Sequence, residues 1–190
     1  MMRPIATTRE ASGTPTGRLA VWWVIASEIV IFGGLLAGYL MHRLGHPEWA
    51  SHAANTQTWI GAFNTFVLLT SSLSAVLAHQ AAERGDGVRA ANLLLATTFG
   101  GLVFVLVKSY EWTYEISHGM TITANGFWAF YYVAAGLHAL HVVAGMVIMV
   151  IVSVAARKGR ELQRVELIGI YWHFVDLIWI FLFPLLYIAK

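Results

Sequence analysis

Long apolar runs separated by short polar segments organise this chain. Five runs reach or exceed the roughly 20 residues that a helix needs to cross a bilayer. They lie near 19–42, 57–80, 90–110, 126–155 and 166–188. Each is predicted to be a transmembrane helix, and the fourth is long enough to tilt or to run past the lipid. The fold class that follows is all-α: a polytopic membrane helix bundle over 19–190, preceded by a polar tail over 1–18 rich in Thr, Arg, Gly and Pro. The first run exceeds the roughly 7–15 residues of a signal-peptide h-region, which argues against a cleavable leader. Pro184 has no amide proton for the Ile180 carbonyl, so the last helix is expected to kink near its end.

The connections carry positive charge unevenly. Arg3, Arg9 and Arg18 in the tail, Arg84 and Arg89 in the second loop, and Arg157, Lys158, Arg160 and Arg164 in the fourth fall on one side. Arg43, Lys108 and Lys190 fall on the other. The positive-inside rule then puts the amino terminus in the cytoplasm and the carboxyl terminus outside. Trp22 and Trp23 suit an inner interfacial belt, and Trp49, Trp59, Trp112 and Trp128 an outer one.

Composition narrows the class further. Of 190 residues, 58% are hydrophobic and 12% charged, against about 25% charged in soluble domains. There is no cysteine, which excludes disulfides and thiolate metal sites. The chain suits a single domain. It has no internal repeat, no Gly-rich phosphate loop and no Ser-centred nucleophile motif. No nucleic-acid partner is expected.

Against that background two carboxylates stand out. Glu28 is the one charged residue of Ala20–Leu40, and Asp176 the one charged residue of Leu167–Ala189. Ionisable groups inside a membrane are costly, face protein rather than lipid, and mark function or assembly. At ~1.5 Å per residue both acids fall ~14–16 Å from the inner surface, near the midplane. His138 and His141 reach the inner half from the other side, and His173 lies one turn inward of Asp176. Two acids and three histidines thus occupy neighbouring depths. Each acid can handle protons or lock helices together. His173 and Asp176 share a helical face, so they can form a relay or a self-neutralising contact.

His138 and His141, three residues apart, also share a face. A metal or bis-histidine haem would need further ligands, from His173 or His79. The carboxylate pattern of di-iron bundles is missing. The competing reading is interhelical hydrogen bonding. Lys108 and Glu111 are spaced for an ion pair at the outer interface, with Glu115 solvated nearby. His42, His46 and His52 crowd the first outer loop, where a solvated surface is expected rather than a metal site. Small residues at Gly34 and Gly38, and at Ala135 and Ala139, permit close helix approach.

Several segments together resemble subunit III of haem-copper oxidases, the cytochrome c and quinol oxidase family. They are Ser27-Glu28 within Trp22–Tyr39; Asn64-Thr65 with Leu68, Leu69, Ser71 and Ser72; and Lys108 to Trp112 with Glu111 as the matching acid. Two more are Phe130-Tyr131-Tyr132 with Gly136, His138, His141, Val142 and Gly145; and Tyr171 to Asp176 followed by Trp179. The resemblance covers about 20–188 and corresponds to the last five of the seven helices that many members have. Lys108 stands where many relatives have Gln, Trp112 where they have Tyr, and Ala139 where they often have Gly.

The resemblance implies a non-catalytic subunit without haem or copper of its own, those groups lying in partner subunits. It implies packing on the catalytic subunit I, with subunit II in the same complex, in the plasma (inner) membrane of a prokaryote. Support of proton uptake, protection of the active site and phospholipid binding are implied too. Glu28, His138, His141, His173 and Asp176 would then form the polar interior, with Gly34, Gly38, Asn64, Gly136 and Gly145 at helix contacts. Three other readings stand beside it: an accessory protein of a nitric oxide reductase, an independent transporter or proton channel, and a small membrane haem protein.

Overall fold

A computed structural model describes residues 16–189 of the chain. Most of the polar tail, with Arg3 and Arg9, and Lys190 at the other end lie outside the described residues. Every apolar run forms a helix. In chain order these are α1 (Thr16–Gly45), the short α2 (Trp49–Ala54), α3 (Thr58–Glu83), α4 (Gly87–Ser117), α5 (Gly126–Arg157) and α6 (Gln163–Phe183), closed by a π-helical turn, Pro184–Ile188. Five of these stretches are long and apolar enough to cross a membrane, α6 and the π turn counting as one. The helices outrun the predicted spans because the polar ends continue the helical hydrogen bonding beyond the apolar stretch. Helix α1 already begins at Thr16, and α4 runs on to Ser117.

Local chemistry sets the ends. Asp86 caps α4 by accepting from the Arg89 amide at 2.9 Å, and Asn125 caps α5 by accepting from Trp128 at 3.1 Å. Gly85, at φ 78°, turns the chain tightly between α3 and α4. Where a kink was expected, Pro184 instead ends the α-helical pattern, and the π turn strands carbonyls that other elements satisfy. Tyr39 donates to the Leu185 carbonyl at 2.9 Å and Thr58 to the Tyr187 carbonyl at 3.2 Å. The Arg43 guanidinium donates to the Ala189 carbonyl.

Helices α3 to α6 make the core, and Trp172 is its keystone. It projects from α6, fully buried, and donates from Nε1 to Ser71 Oγ of α3 at 3.1 Å. Its ring occupies the space that side chains at Gly101 of α4 and Gly145 of α5 would fill. A Cβ at Gly100 would likewise strike Ser71, and Ser74 and Thr97 bond at 2.7 Å across the same α3–α4 seam. Helix α1 joins differently. Its buried residues are only Ile25, Phe32 and Tyr39, a single stripe at heptad spacing. An ion pair between Arg18 and Glu166 fixes one end, and the Tyr39 and Arg43 bonds to the π turn fix the other.

Two expectations about packing are corrected here. A side chain at Gly34 would meet nothing within 4 Å, and one at Gly38 only the Phe130 ring at 3.6 Å, so this pair does not join helix backbones within the chain. Gly136 has only a distant neighbour, Trp112 at 3.9 Å. Trp22, Trp23 and Trp59 are exposed, as belt residues are, but Trp49 and Trp128 are buried. Helix α2 folds Trp49 back against Tyr39, Phe127 and Phe130, so protein covers it.

Candidate functional site: two interior polar layers

The sequence placed Glu28, His138, His141, His173 and Asp176 at neighbouring depths. The structure separates them into distinct contacts. Glu28 of α1 meets His141 of α5, with Oε2 3.1 Å from Nε2. The oxygen lies off the line that a ring N–H bond requires. His141 Nδ1 lies 2.8 Å from the Leu137 carbonyl, which can only accept, so this nitrogen carries a proton. The contact with Glu28 is therefore made by the other nitrogen. Phe32 packs edge-on to the imidazole at 5.4 Å. Both side chains are about five-sixths covered, at 14% and 17% exposure, so the pair sits inside the α1–α5 seam rather than in lipid.

The His173–Asp176 pair is not formed. His173 Nδ1 turns to Ser72 Oγ of α3 at 2.6 Å. Asp176 is buried, and neither of its oxygens meets a well-aligned partner among the described residues. The physical reason is orientation: α6 presents Asp176 to the core beside Ser72, while the His173 ring turns its Nδ1 to the same hydroxyl instead of to Asp176.

His138 is equally enclosed. It stacks on Trp179 at 5.1 Å, takes the edge of Phe104 at 5.4 Å, and has no partner for either ring nitrogen among the described residues. Asn64 is fully buried with both amide atoms unbonded in the same sense. Its chain neighbour Thr65 accepts from Trp179 Nε1 at 2.9 Å.

A haem or metal does not fit these histidines. One faces Glu28, one faces Ser72 and one is packed between aromatic rings. No three His, Asp or Glu side chains converge as a ligand set among the described residues. The outer-loop histidines are also engaged: His42 and His46 stack on Trp49, and His46 Nδ1 lies 2.7 Å from Glu48. Backbone hydrogen bonding first, and His46 second, hold the Glu48 carboxyl below its usual pKa.

The second layer was missed. Lys108 and Glu111 do pair, at 3.0 Å, but enclosed by protein rather than at the surface: they are 1% and 0% exposed. Glu115, expected in solvent, is fully buried as well. Three phenols close around them. Lys108 Nζ donates to Tyr131 at 2.7 Å and to Tyr187, and Tyr131 reaches Glu115 Oε1 at 2.9 Å. The Lys108 ammonium also lies 4.6 Å from the Tyr131 ring and 5.0 Å from that of Tyr187.

A signal for this burial was present. Ala90, Leu94, Thr97, Gly101, Phe104, Lys108, Glu111 and Glu115 form one heptad stripe, all of it buried. The charged residues simply continue the core face.

Comparison with known proteins places this architecture. A family model described as cytochrome c oxidase subunit III matches residues 13–190. The chain is 31% identical over 173 residues to a cytochrome c oxidase subunit 3 of Corynebacterium diphtheriae, covering 87% of this chain and 84% of that one. It is 33% identical over 175 residues to a probable cytochrome c oxidase subunit 3 of Mycobacterium tuberculosis, covering 90% and 85%. It is also 31% identical over 187 residues to a heme-copper oxidase subunit I+III of Aeropyrum pernix, covering 90% of this chain and 22% of that longer one.

Proposed function

The chain belongs to the cytochrome c oxidase subunit III family, and we propose that it packs on the catalytic subunit I as a shield and proton-side support. It is not an enzyme by itself but an accessory subunit of the oxidase complex. The nitric oxide reductase and transporter readings are not favoured. In the proposed complex, haem and copper sit in the partner subunits, subunit II is present, phospholipids fill the surrounding grooves, and the membrane is a prokaryotic plasma membrane. The Aeropyrum relative, named as subunits I and III in one chain, supports packing against subunit I.

The observation that carries the proton-side role is the Glu28–His141 contact. An acid and an imidazole whose Nδ1–H is already committed meet near the midplane, mostly shielded from lipid. Carboxyl and imidazole are both proton-exchanging groups, and here they face each other across the α1–α5 seam. The seam belongs to α1, the helix with most of its surface free. A neighbouring subunit covering α1 would enclose the pair further. The polar layer of buried Asp176, His138 and Asn64 with half-buried His173 and Ser72 is assigned to holding the bundle together.

The test is purification through a carboxyl-terminal tag in mild detergent, with mass spectrometry and an optical spectrum. A co-purifying haem-copper subunit I, with all haem absorption assigned to it, is the expected outcome. Removal of the chain should leave the haem spectrum intact while shortening turnover lifetime or slowing proton uptake. Glu28→Gln should reproduce part of the uptake defect without loss of assembly. Unchanged uptake and lifetime after clean removal would refute the role.

A further inference from the structure

The buried cluster at the end of α4 has one cation and two carboxyl groups. Lys108, Glu111 and Glu115 are 1%, 0% and 0% exposed. An uncompensated carboxylate in such a place is strongly disfavoured. The titratable groups facing Glu115 are Lys108 and Glu111 from its own helix, Tyr131 and Tyr132 from α5, and Tyr187 from the π turn.

Following each hydrogen shows how the cluster closes. The three ammonium hydrogens of Lys108 go to Glu111 Oε2 at 3.0 Å, Tyr131 at 2.7 Å and Tyr187. Tyr187 can pass its own proton to Tyr131, 3.0 Å away. Tyr131 then donates to Glu115 Oε1 at 2.9 Å, with Glu111 Oε1 at 3.2 Å sharing that hydrogen. Tyr132 has one hydroxyl proton and two oxygens beside it. The Met120 carbonyl, at 2.7 Å, can only accept and takes it. Glu115 Oε2, 3.4 Å from the Tyr132 oxygen, is the farther acceptor and receives only a weak share of that hydrogen. With Lys108 already paired to Glu111, an ionised Glu115 would be a second buried carboxylate served by one cation. A proton on Oε2 turns the same contact into a bond that Tyr132 accepts.

We propose that this cluster is a proton-binding site: beyond the Lys108–Glu111 ion pair it holds one proton on Oε2 of Glu115, and so closes electrically neutral. The proton has a way in and out. Tyr132 is half-buried and bridges Glu115 to the Met120 carbonyl in the 118–125 loop, where the chain meets solvent. The site is separate from the Glu28–His141 contact, and the assignment does not depend on the oxidase reading.

Infrared spectroscopy of the purified complex tests it, in H2O and D2O. The parent-minus-Glu115→Gln difference should show loss of one protonated-carboxyl C=O band that moves on deuteration. Glutamine mimics the neutral acid, so assembly should be retained. Tyr132→Phe removes the acceptor and should shift the same band to higher frequency without deleting it. A difference spectrum showing loss of ionised-carboxylate bands instead overturns the proposal. So does a Tyr132→Phe spectrum flat in the protonated-carboxyl region, and that variant decides alone if Glu115→Gln fails to assemble.

Discussion

Gly101→Ala isolates what the Trp172 keystone contributes. An added Cβ would stand 2.8 Å from Trp172 Cη2 and 2.9 Å from Met146 Cγ and Sδ. Met146 is a flexible side chain and can yield. Trp172 cannot, because Ser71 holds its indole nitrogen and its other edge lies so close over Gly145 that a Cβ there would stand 3.0 Å from it. Gly→Ala in a helix gains roughly 0.5–1 kcal/mol of backbone entropy. Overpacking costs roughly 1–3 kcal/mol, and displacing Trp172 from Ser71 forfeits a buried hydrogen bond worth about 1 kcal/mol more. The expected net loss is about 1–3 kcal/mol. Gly34→Ala is the control, since nothing lies within 4 Å of its added carbon; it should be neutral or stabilising by up to ~1 kcal/mol. Thermal unfolding of the purified chain in mild detergent, followed by near-ultraviolet circular dichroism, reads both. Equal stability of the two variants, with the Trp172 signal unchanged, would refute the account of how α3 to α6 lock together.

Other expectations follow from single contacts. Glu111→Gln removes the ion partner of Lys108, but loss of the Glu115 proton restores neutrality, so the cost in the same unfolding assay should fall below the roughly 3–5 kcal/mol of an unpaired buried charge. Ser72→Ala strips the half-buried His173 Nδ1 of its bond at 2.6 Å and should cost about 1 kcal/mol, where Ser72→Thr costs less. Tyr39→Phe frees the Leu185 carbonyl and should cost about 1 kcal/mol while raising protease cleavage between α1 and α2.

What the sequence revealed divides by range. The spans were readable because each is a long apolar run, and the break at Pro184 because proline lacks a donor. Helix α2 was not foreseen: six residues between polar loops carry no period that distinguishes a helix from a turn. Depth along the membrane was estimated directly from position, which put Glu28 and His141 at neighbouring levels. Lateral pairing did not, because nothing in a run of apolar residues says which neighbour a helix will choose. His173 shows this, preferring Ser72 of α3 to Asp176 of its own helix. Lys108, Glu111 and Glu115 were assigned to the surface by their charge, although their heptad stripe marked them as core. Tyr131 and Tyr187, which make that burial tolerable, lie far along the chain. The Gly34 and Gly38 spacing looked like a helix contact, yet the close approaches fall at Gly100, Gly101 and Gly145, where large partners supply the shape.

The fastenings of α1 have a consequence for biosynthesis. Arg18 waits for Glu166, Glu28 for His141, Tyr39 for Leu185 and Arg43 for Ala189. Every one of these partners belongs to α5, α6, the π turn or the residue that follows it. Of the five long helices, α1 is therefore made first and docked last. It must remain in the bilayer as an unattached segment until α5, α6 and the π turn have been made, with its interior acid still unmatched. For that interval α1 is the exposed element that chaperones and membrane proteases can inspect, and its docking is the event that closes the bundle.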